Sequence, residues 1–393
     1  MRITRYCKYL LTLLVLVNLS QFTQAVNRVN CDNDSLYISL LTCSAGDEIY
    51  SAYGHSAVRV RDLRNGFDVV FNYGTFDFGT PFFVPKFLSG TLDYMLSTSS
   101  FSRFMYIYER EGRGVTEREL IMSTAQKNEV ELFLLENLKP QNRFYRYDFF
   151  FDNCATRIRD FALKIADVKT DSCKRINPGE TFRSCLHEYV GTEKWYGTGI
   201  DLILGVRADK PVSDYDKAML PDHMEALLLK DRLLGEPIVL LERQELGQTA
   251  SFVPSPAIVA LVLFLIVIAA CVYEVKSGRR LQWLDYALFA VMVLLSLLFW
   301  FLWIVSEIKI TSYNYNVLWA SILYIPMIVA MIKRRTKLTR IMAIANLSMI
   351  GAYFILIICG IQYAPTLAVS LALCLAFRNL CYILPKHVRE IKK

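Results

Sequence analysis

Phe149-Phe150-Phe151-Asp152-Asn153-Cys154-Ala155-Thr156-Arg157-Ile158-Arg159-Asp160 changes character at its middle. The aromatics read as the end of a strand, Asp152 and Asn153 are good N-cap residues, and a helical pattern then continues to about Ala166. Cys154 therefore falls in the first turn of a helix. There the unpaired backbone N–H groups and the positive end of the macrodipole favour a thiolate, which is the nucleophilic form of cysteine.

About a hundred residues upstream, Tyr53-Gly54-His55-Ser56-Ala57-Val58-Arg59-Val60 puts His55 at the mouth of an alternating strand, after a glycine that lets the backbone crowd close. A cysteine and an upstream histidine that meet in the fold form a nucleophile and general-base pair. The strand Asp68-Val69-Val70-Phe71-Asn72 returns beside it across a turn containing Asn65-Gly66, a strong hairpin signal. Asn72 is the candidate to orient the second imidazole nitrogen and fix the tautomer, with Asp68 and Asp77 as alternatives.

The chain has 393 residues and is 54% hydrophobic, with the long apolar runs concentrated in its C-terminal third. That distribution describes a membrane protein with a soluble domain attached. At the N-terminus Arg2, Arg5 and Lys8 precede the apolar run Leu10 to Leu19, and Thr23-Gln24-Ala25 supplies small residues for cleavage, so residues 1–25 read as a signal peptide. Export makes the odd set Cys31, Cys43, Cys154, Cys173 and Cys185 informative, because at least one thiol stays unpaired within the chain. Pairing Cys31 with Cys43 and Cys173 with Cys185 would close two small loops and leave Cys154 free; five reduced thiols are the other option.

In chain order the expected elements are a strand at Leu36 to Thr42, the hairpin His55 to Val60 and Asp68 to Gly74, short broken pieces across Phe82 to Phe104, a helix over 124–138 with a capping box at Ser123 and Gln126, and a strand at Phe144 to Phe149. Residues 26–170 thus form an α+β catalytic domain. Residues 171–254 read as a mainly helical extension, with helices near Thr181 to Val190 and Pro221 to Leu233. Five spans follow within 255–384: Pro256 to Tyr273, Leu284 to Val305, Val317 to Ile332, Ile341 to Gly360 and Thr366 to Leu384, the third short and containing Pro326. Lys and Arg gather after the first, third and fifth spans and in the tail 385–393, which orients the soluble domain away from the cytoplasm. The net charge of +7 is therefore a topology signal, not a footprint for nucleic acid.

The segments Tyr50 to Asp62, Asp68 to Phe78 and Tyr145 to Asp160 resemble the periplasmic domain of the Bacteroidota lipoprotein N-acyltransferase family, Lnb, and Gly199-Ile200-Asp201-Leu202-Ile203-Leu204-Gly205 and Asn314-Tyr315-Asn316-Val317-Leu318-Trp319 fit the same family. More distantly, a histidine at a strand start and Asn-Cys opening a later helix resemble the permuted papain-like fold of lecithin:retinol acyltransferase-type and NlpC-like proteins. Where the former have a second histidine on the neighbouring strand, this chain has Asn72. The resemblance implies a thioester acyl-enzyme on Cys154, with His55 as general base and acid. The acyl chain would come from a membrane phospholipid and pass to the α-amine of the N-terminal lipidated cysteine of exported lipoproteins, at the inner membrane. It implies no cofactor and no metal. Asn153, Arg157 and Tyr73 are the candidate substrate-binding residues, and helix-start N–H groups part of an oxyanion hole.

His187 and His223 show no metal-ligand spacing and read as surface or structural. Arg157 and Arg159 read as a solvated helix face or as partners of Asp160 or Asp148. Trp300, Trp303 and Trp319 read as interface anchors. The aromatic stretches Phe76 to Phe87 and Phe101 to Tyr108 fit an acyl groove, a lipid contact or ordinary core. Two rival functions share the chain: a papain-like peptidase or amidase acting on peptidoglycan, which would need a polar cleft and only a tether, and a non-catalytic envelope scaffold or sensor, which would tolerate Cys154 in a disulfide.

Overall fold

The computed structural model describes residues 35–63, 65–171, 173–192, 194–244 and 253–384. The signal-peptide region, Cys31 and the basic tail lie outside the described residues. A seven-stranded antiparallel sheet organises the first half of the chain, in the order β6-β4-β3-β2-β1-β5-β9. Its strands are β1 (Leu36–Cys43), β2 (His55–Asp62), β3 (Phe67–Thr75), β4 (Asp93–Ser100), β5 (Val115–Glu119), β6 (Phe144–Arg146) and β9 (Ile238–Leu241). A separate ribbon pairs β7 (Ile176–Thr181) with β8 (Pro211–Ser213).

Alternation decides which side each strand presents. Val58 and Val60 of β2 join Leu40, Phe71 and Ile158 in one core, whereas Ala57 joins Leu41, Val70 and Phe104 in another. Both faces are thus covered, and each fully buried Val, Leu or Phe contributes about 1.5–3 kcal/mol. On the second face Arg59 is held by Asp68 and Glu117 at 2.7 and 3.0 Å, with its guanidinium 3.4 Å from the Phe101 ring centroid. Asp68 is therefore committed to a structural ion pair.

The longer helices of this domain are α1 (Phe83–Ser89), α2 (Phe101–Arg110), α3 (Thr124–Leu138), α4 (Cys154–Ile165), α5 (Phe182–Val190), α6 (Trp195–Ile203) and α7 (Pro221–Lys230). The expected capping box at Ser123 and Gln126 is present on α3. The strand expected through Phe149 stops at Arg146, because Asp148 Oδ1 accepts from the N–H groups of Phe150 and Phe151 and curls the chain into a turn. The proposed Cys173 to Cys185 disulfide does not form: Cys173 donates to the Thr170 carbonyl at 3.0 Å, and Cys185 sits in a different core on α5. Cys43 is likewise a free thiol, buried at the end of β1.

Among the described residues, four helices are long and apolar enough to cross a membrane: α8 (Pro256–Ser277), α9 (Gln282–Ile304), α11 (Thr336–Ile358) and α12 (Thr366–Ile383). The expected third span is a correction to the count of five. It consists of a 3-10 turn at Tyr315–Leu318 and then α10 (Tyr324–Ile332), a nine-residue helix that rises only about 14 Å of the roughly 30 Å apolar thickness. The break is held by side chains: Asn316 Oδ1 accepts from Trp319 Nε1 at 2.8 Å and Tyr353 Oη at 3.1 Å. At the opposite end of the bundle Arg378 joins α12 to Asp285 of α9 and Glu274 of α8, at 2.6 and 2.8 Å. A fully buried charge in such a bundle requires this pairing.

The sheet domain is fastened to the outer loops of the bundle. Asn314 and Asn316 both donate to the Leu202 carbonyl, at 2.7 and 3.0 Å. Gly205 N–H donates to Ile310 O, Tyr363 N–H to Asp209, and Ile310 itself is buried among Leu204, Ala208 and Leu220. The two late stretches singled out in the sequence, 199–205 and 314–319, thus meet in this joint.

Candidate active site

Asn153 is the N-cap of α4 and closes a reciprocal capping box with Thr156. Its Oδ1 accepts from Thr156 N–H at 2.8 Å, while its amide donates to Phe149 O and Met219 O, both at 2.7 Å. Those bonds use both amide protons, so Asn153 positions the helix start and leaves no donor for a substrate. Cys154 follows as the first residue of α4 and is buried.

Burial dominates the thiol. It pushes the Cys154 pKa up from 9.0, against the N–H groups of Ser56, Ala155 and Cys154 itself and the positive charge of Arg113, all of which favour the anion. The expectation of a standing thiolate is corrected on this point: in the apolar first turn desolvation outweighs the helix start, and the thiol is protonated at neutral pH.

His55 opens β2 opposite Cys43. The approach depends on Gly54, whose φ is 78° and whose missing Cβ would lie 2.8 Å from the Cys43 carbonyl. His55 Nε2 stands 3.4 Å from Asn72 Oδ1 on the neighbouring strand. Burial, with a further push from Arg113, lowers the His55 pKa to about 4, partly offset by the Asn72 contact, so the ring is neutral at physiological pH. Among the described residues no hydrogen bond joins the imidazole to the Cys154 sulfur, which instead faces the adjacent Ser56 N–H. Of the alternative orienting residues, Asp68 is bound to Arg59 and Asp77 Oδ1 accepts from Gly79 N–H at 2.8 Å.

Arg157 is clamped by Asp152 through two bonds of 2.6 and 2.8 Å, with its guanidinium 3.5 Å from the Tyr145 ring centroid. Arg159 takes Asp160 and the Tyr215 carbonyl. Tyr73 is buried, packed edge-on to Tyr145. Tyr73 and Arg157 share a cleft of about 230 Å³ with Glu129, Phe133 and Lys164, along the outer side of α4; Cys154 does not line it. His187 is structural, bonded to Asp201, which with Asp209 also neutralises the buried Arg183. His223 pairs with Glu188. Trp300 and Trp303 stack at the outer end of α9, while Trp319 is buried in the bundle instead of anchoring at an interface.

Three residues at this centre, Arg113, Ser56 and Tyr145, are not among the candidates singled out from the sequence. Arg113, in the turn before β5, is tied by Nε to Ser44 O at 2.8 Å and by Nη1 to Glu111 at 3.2 Å. Its Nη2, Ser56 Oγ and Tyr145 Oη are buried without a hydrogen-bond partner among the described residues. Leaving such groups unpaired costs about 1–3 kcal/mol each. A hint existed only for Ser56, which follows the histidine directly. Among the described residues no cluster of His, Cys, Asp and Glu has metal-binding geometry.

A sheet-built domain fastened to a bundle of membrane-length helices makes this a membrane protein with its candidate site outside the bilayer. Residues 22–188 match the family model of the Lnb N-terminal periplasmic domain, and residues 248–388 that of the Lnb transmembrane domain. The chain belongs to the Lnb-type family and carries a periplasmic domain. No curated protein and no solved structure matches it.

Proposed function

We propose that this protein is a lipoprotein N-acyltransferase of the inner membrane working through a thioester on Cys154. The observation that carries the reading is a free, buried thiol at a helix start that faces the N–H of Ser56, the residue directly after a neutral histidine whose Nε2 lies 3.4 Å from Asn72 Oδ1. An acceptor at Nε2 favours the tautomer protonated there and leaves the Nδ1 lone pair as the base. Nδ1 takes the thiol proton as sulfur attacks the ester carbonyl of a phospholipid. The carbon–oxygen bond then breaks and the same proton passes to the departing alcohol, leaving a lysolipid. The α-amine of a lipoprotein's lipidated N-terminal cysteine attacks the thioester, its proton returns through His55 to the sulfur, and an amide is released. The N–H groups of Ser56 and Ala155 and the unpartnered Arg113, Ser56 and Tyr145 groups are donors available to the ester oxygen as it gains charge.

The antiparallel sheet with the cysteine helix packed against β2 is compatible with a permuted papain-like arrangement. A free Cys154 weighs against a scaffold that buries it in a disulfide, and the fastening to the bundle weighs against a tethered peptidoglycan hydrolase. Intact mass spectrometry of the full-length protein incubated with phospholipid vesicles tests the reading. A hydroxylamine-sensitive, fatty-acyl-sized adduct is expected on the wild type and not on Cys154→Ser. A wild type that takes up no acyl group while Cys154 remains alkylatable overturns it.

A further inference from the structure

Helix α1 has no buried residue, and its surroundings are unusually apolar for a surface. Phe78, Phe82, Val84 and Phe87 are 66, 79, 61 and 50% exposed. Phe82 holds a left-handed backbone, φ 57° and ψ 40°, a conformation that bulky residues pay to adopt and that here turns an aromatic ring outward. The end of α1 is pinned to the chain that emerges from α9. Glu307 N–H donates to Ser89 O and Ser306 Oγ to Leu88 O, both at 2.8 Å, and a Cβ on Gly90 would lie 2.9 Å from Ile308. That chain leaves the bilayer just after the Trp300–Trp303 stack and the exposed Ile304 and Val305, so α1 lies level with the outer interface.

From α1 the rings continue inward. Phe87 stacks on Phe83 at 6.2 Å, Phe83 meets Phe76 at 5.8 Å, Phe76 meets Tyr94 at 5.1 Å, and Tyr94 stacks on Tyr147 at 4.3 Å. Tyr147 lies in the turn that leads into α4 and is close enough to feel charge on Cys154. We propose that α1 and the Phe78–Phe82 turn are seated in the outer leaflet of the membrane that holds the bundle, and that this ring series guides one acyl chain of a bilayer lipid toward Cys154. The occupant is lipid because the surface continues the lipid-facing side of α9 and carries one basic residue, Lys86, in its helix. The guiding role rests on the thioester reading; the seat does not.

The test places the photo-crosslinker p-benzoylphenylalanine at Phe82, Phe87 or Phe76 of the full-length Cys154→Ser protein in phosphatidylethanolamine–phosphatidylglycerol vesicles. Leu63, 52% exposed at the far end of the β2–β3 hairpin, is the control. Lipid-mass adducts at least fivefold above the Leu63 level at positions 82 and 87 are expected for the seat, and at 76 for the route. Adducts at 82 and 87 no higher than at 63 overturn the seat, and none at 76 overturns the route. In the wild-type background, Phe82→Ser with Phe87→Ser should slow acyl loading from vesicles at least tenfold while iodoacetamide labels Cys154 at an unchanged rate. Unchanged loading also removes the route, whereas an acyl-free wild type with positive crosslinks means that the thioester reading, not the seat, has failed.

Discussion

Asn72 Oδ1 lies 3.4 Å from His55 Nε2, across the pair of strands joined by the Asn65-Gly66 turn. This is at the long end for a hydrogen bond, as resting catalytic contacts often are. Asn72→Ala should reduce acyl loading by about tenfold or more by freeing the tautomer. Asn72→Asp places a carboxylate against the ring, favours imidazolium, and should move the acidic limb of the pH–rate profile upward. A profile identical to wild type in both variants would remove Asn72 from the site.

Under the proposed chemistry, the His55 pKa of about 4 would set the pH range over which it can act as the base. Loading should hold from neutral pH down to about 5 and fall as the ring protonates near 4, and Arg113→Gln should raise that limb by removing a repelling charge. The unfolded chain takes up this proton first, near 6.5. Acidification between 6.5 and 4 therefore removes stability, and thermal unfolding across that window should show Tm falling with pH.

Because burial raises the Cys154 pKa above 9.0, alkylation of that thiol should still be accelerating past pH 9. His55→Ala should cost about 10²- to 10⁴-fold in acyl loading. A reactivity plateau near neutral pH would mean a standing thiolate and contradict the proton transfer to His55.

Arg183 is 2% exposed and neutralises Asp201 and Asp209 beside the joint with the bundle. Arg183→Met leaves Asp201 buried with His187 as its remaining partner. The expected loss is about 3–5 kcal/mol, read by denaturant unfolding of the periplasmic fold.

The parts of this architecture that the sequence discloses are the locally encoded ones. Asn65-Gly66 dictates the hairpin, Ser123 with Gln126 starts α3, and Asn153 with Thr156 starts α4, because caps and tight turns are satisfied by neighbours in the chain. What is hidden depends on distant partners. Strand β9 pairs with β5 over more than a hundred residues, and Arg113 becomes part of the site only because β5 lies beside β1. An apolar run such as Val317 to Ile332 reads as a span, yet it opens in a 3-10 turn that Asn316 Oδ1 holds through Trp319 and Tyr353, and only Tyr324–Ile332 is α-helical. Spacing alone leaves a Cys173–Cys185 pair and reduced thiols both open, whereas packing sends the two cysteines to separate cores as free thiols.

Asn314 and Asn316 gripping one carbonyl, that of Leu202, has a kinetic meaning under the proposed chemistry. A catalytic domain that cannot lift from its bundle does not sample the volume of the periplasm. It meets donor and acceptor by lateral diffusion in a plane, so turnover should follow the mole fraction of each within the bilayer and be indifferent to the bulk concentration of vesicles.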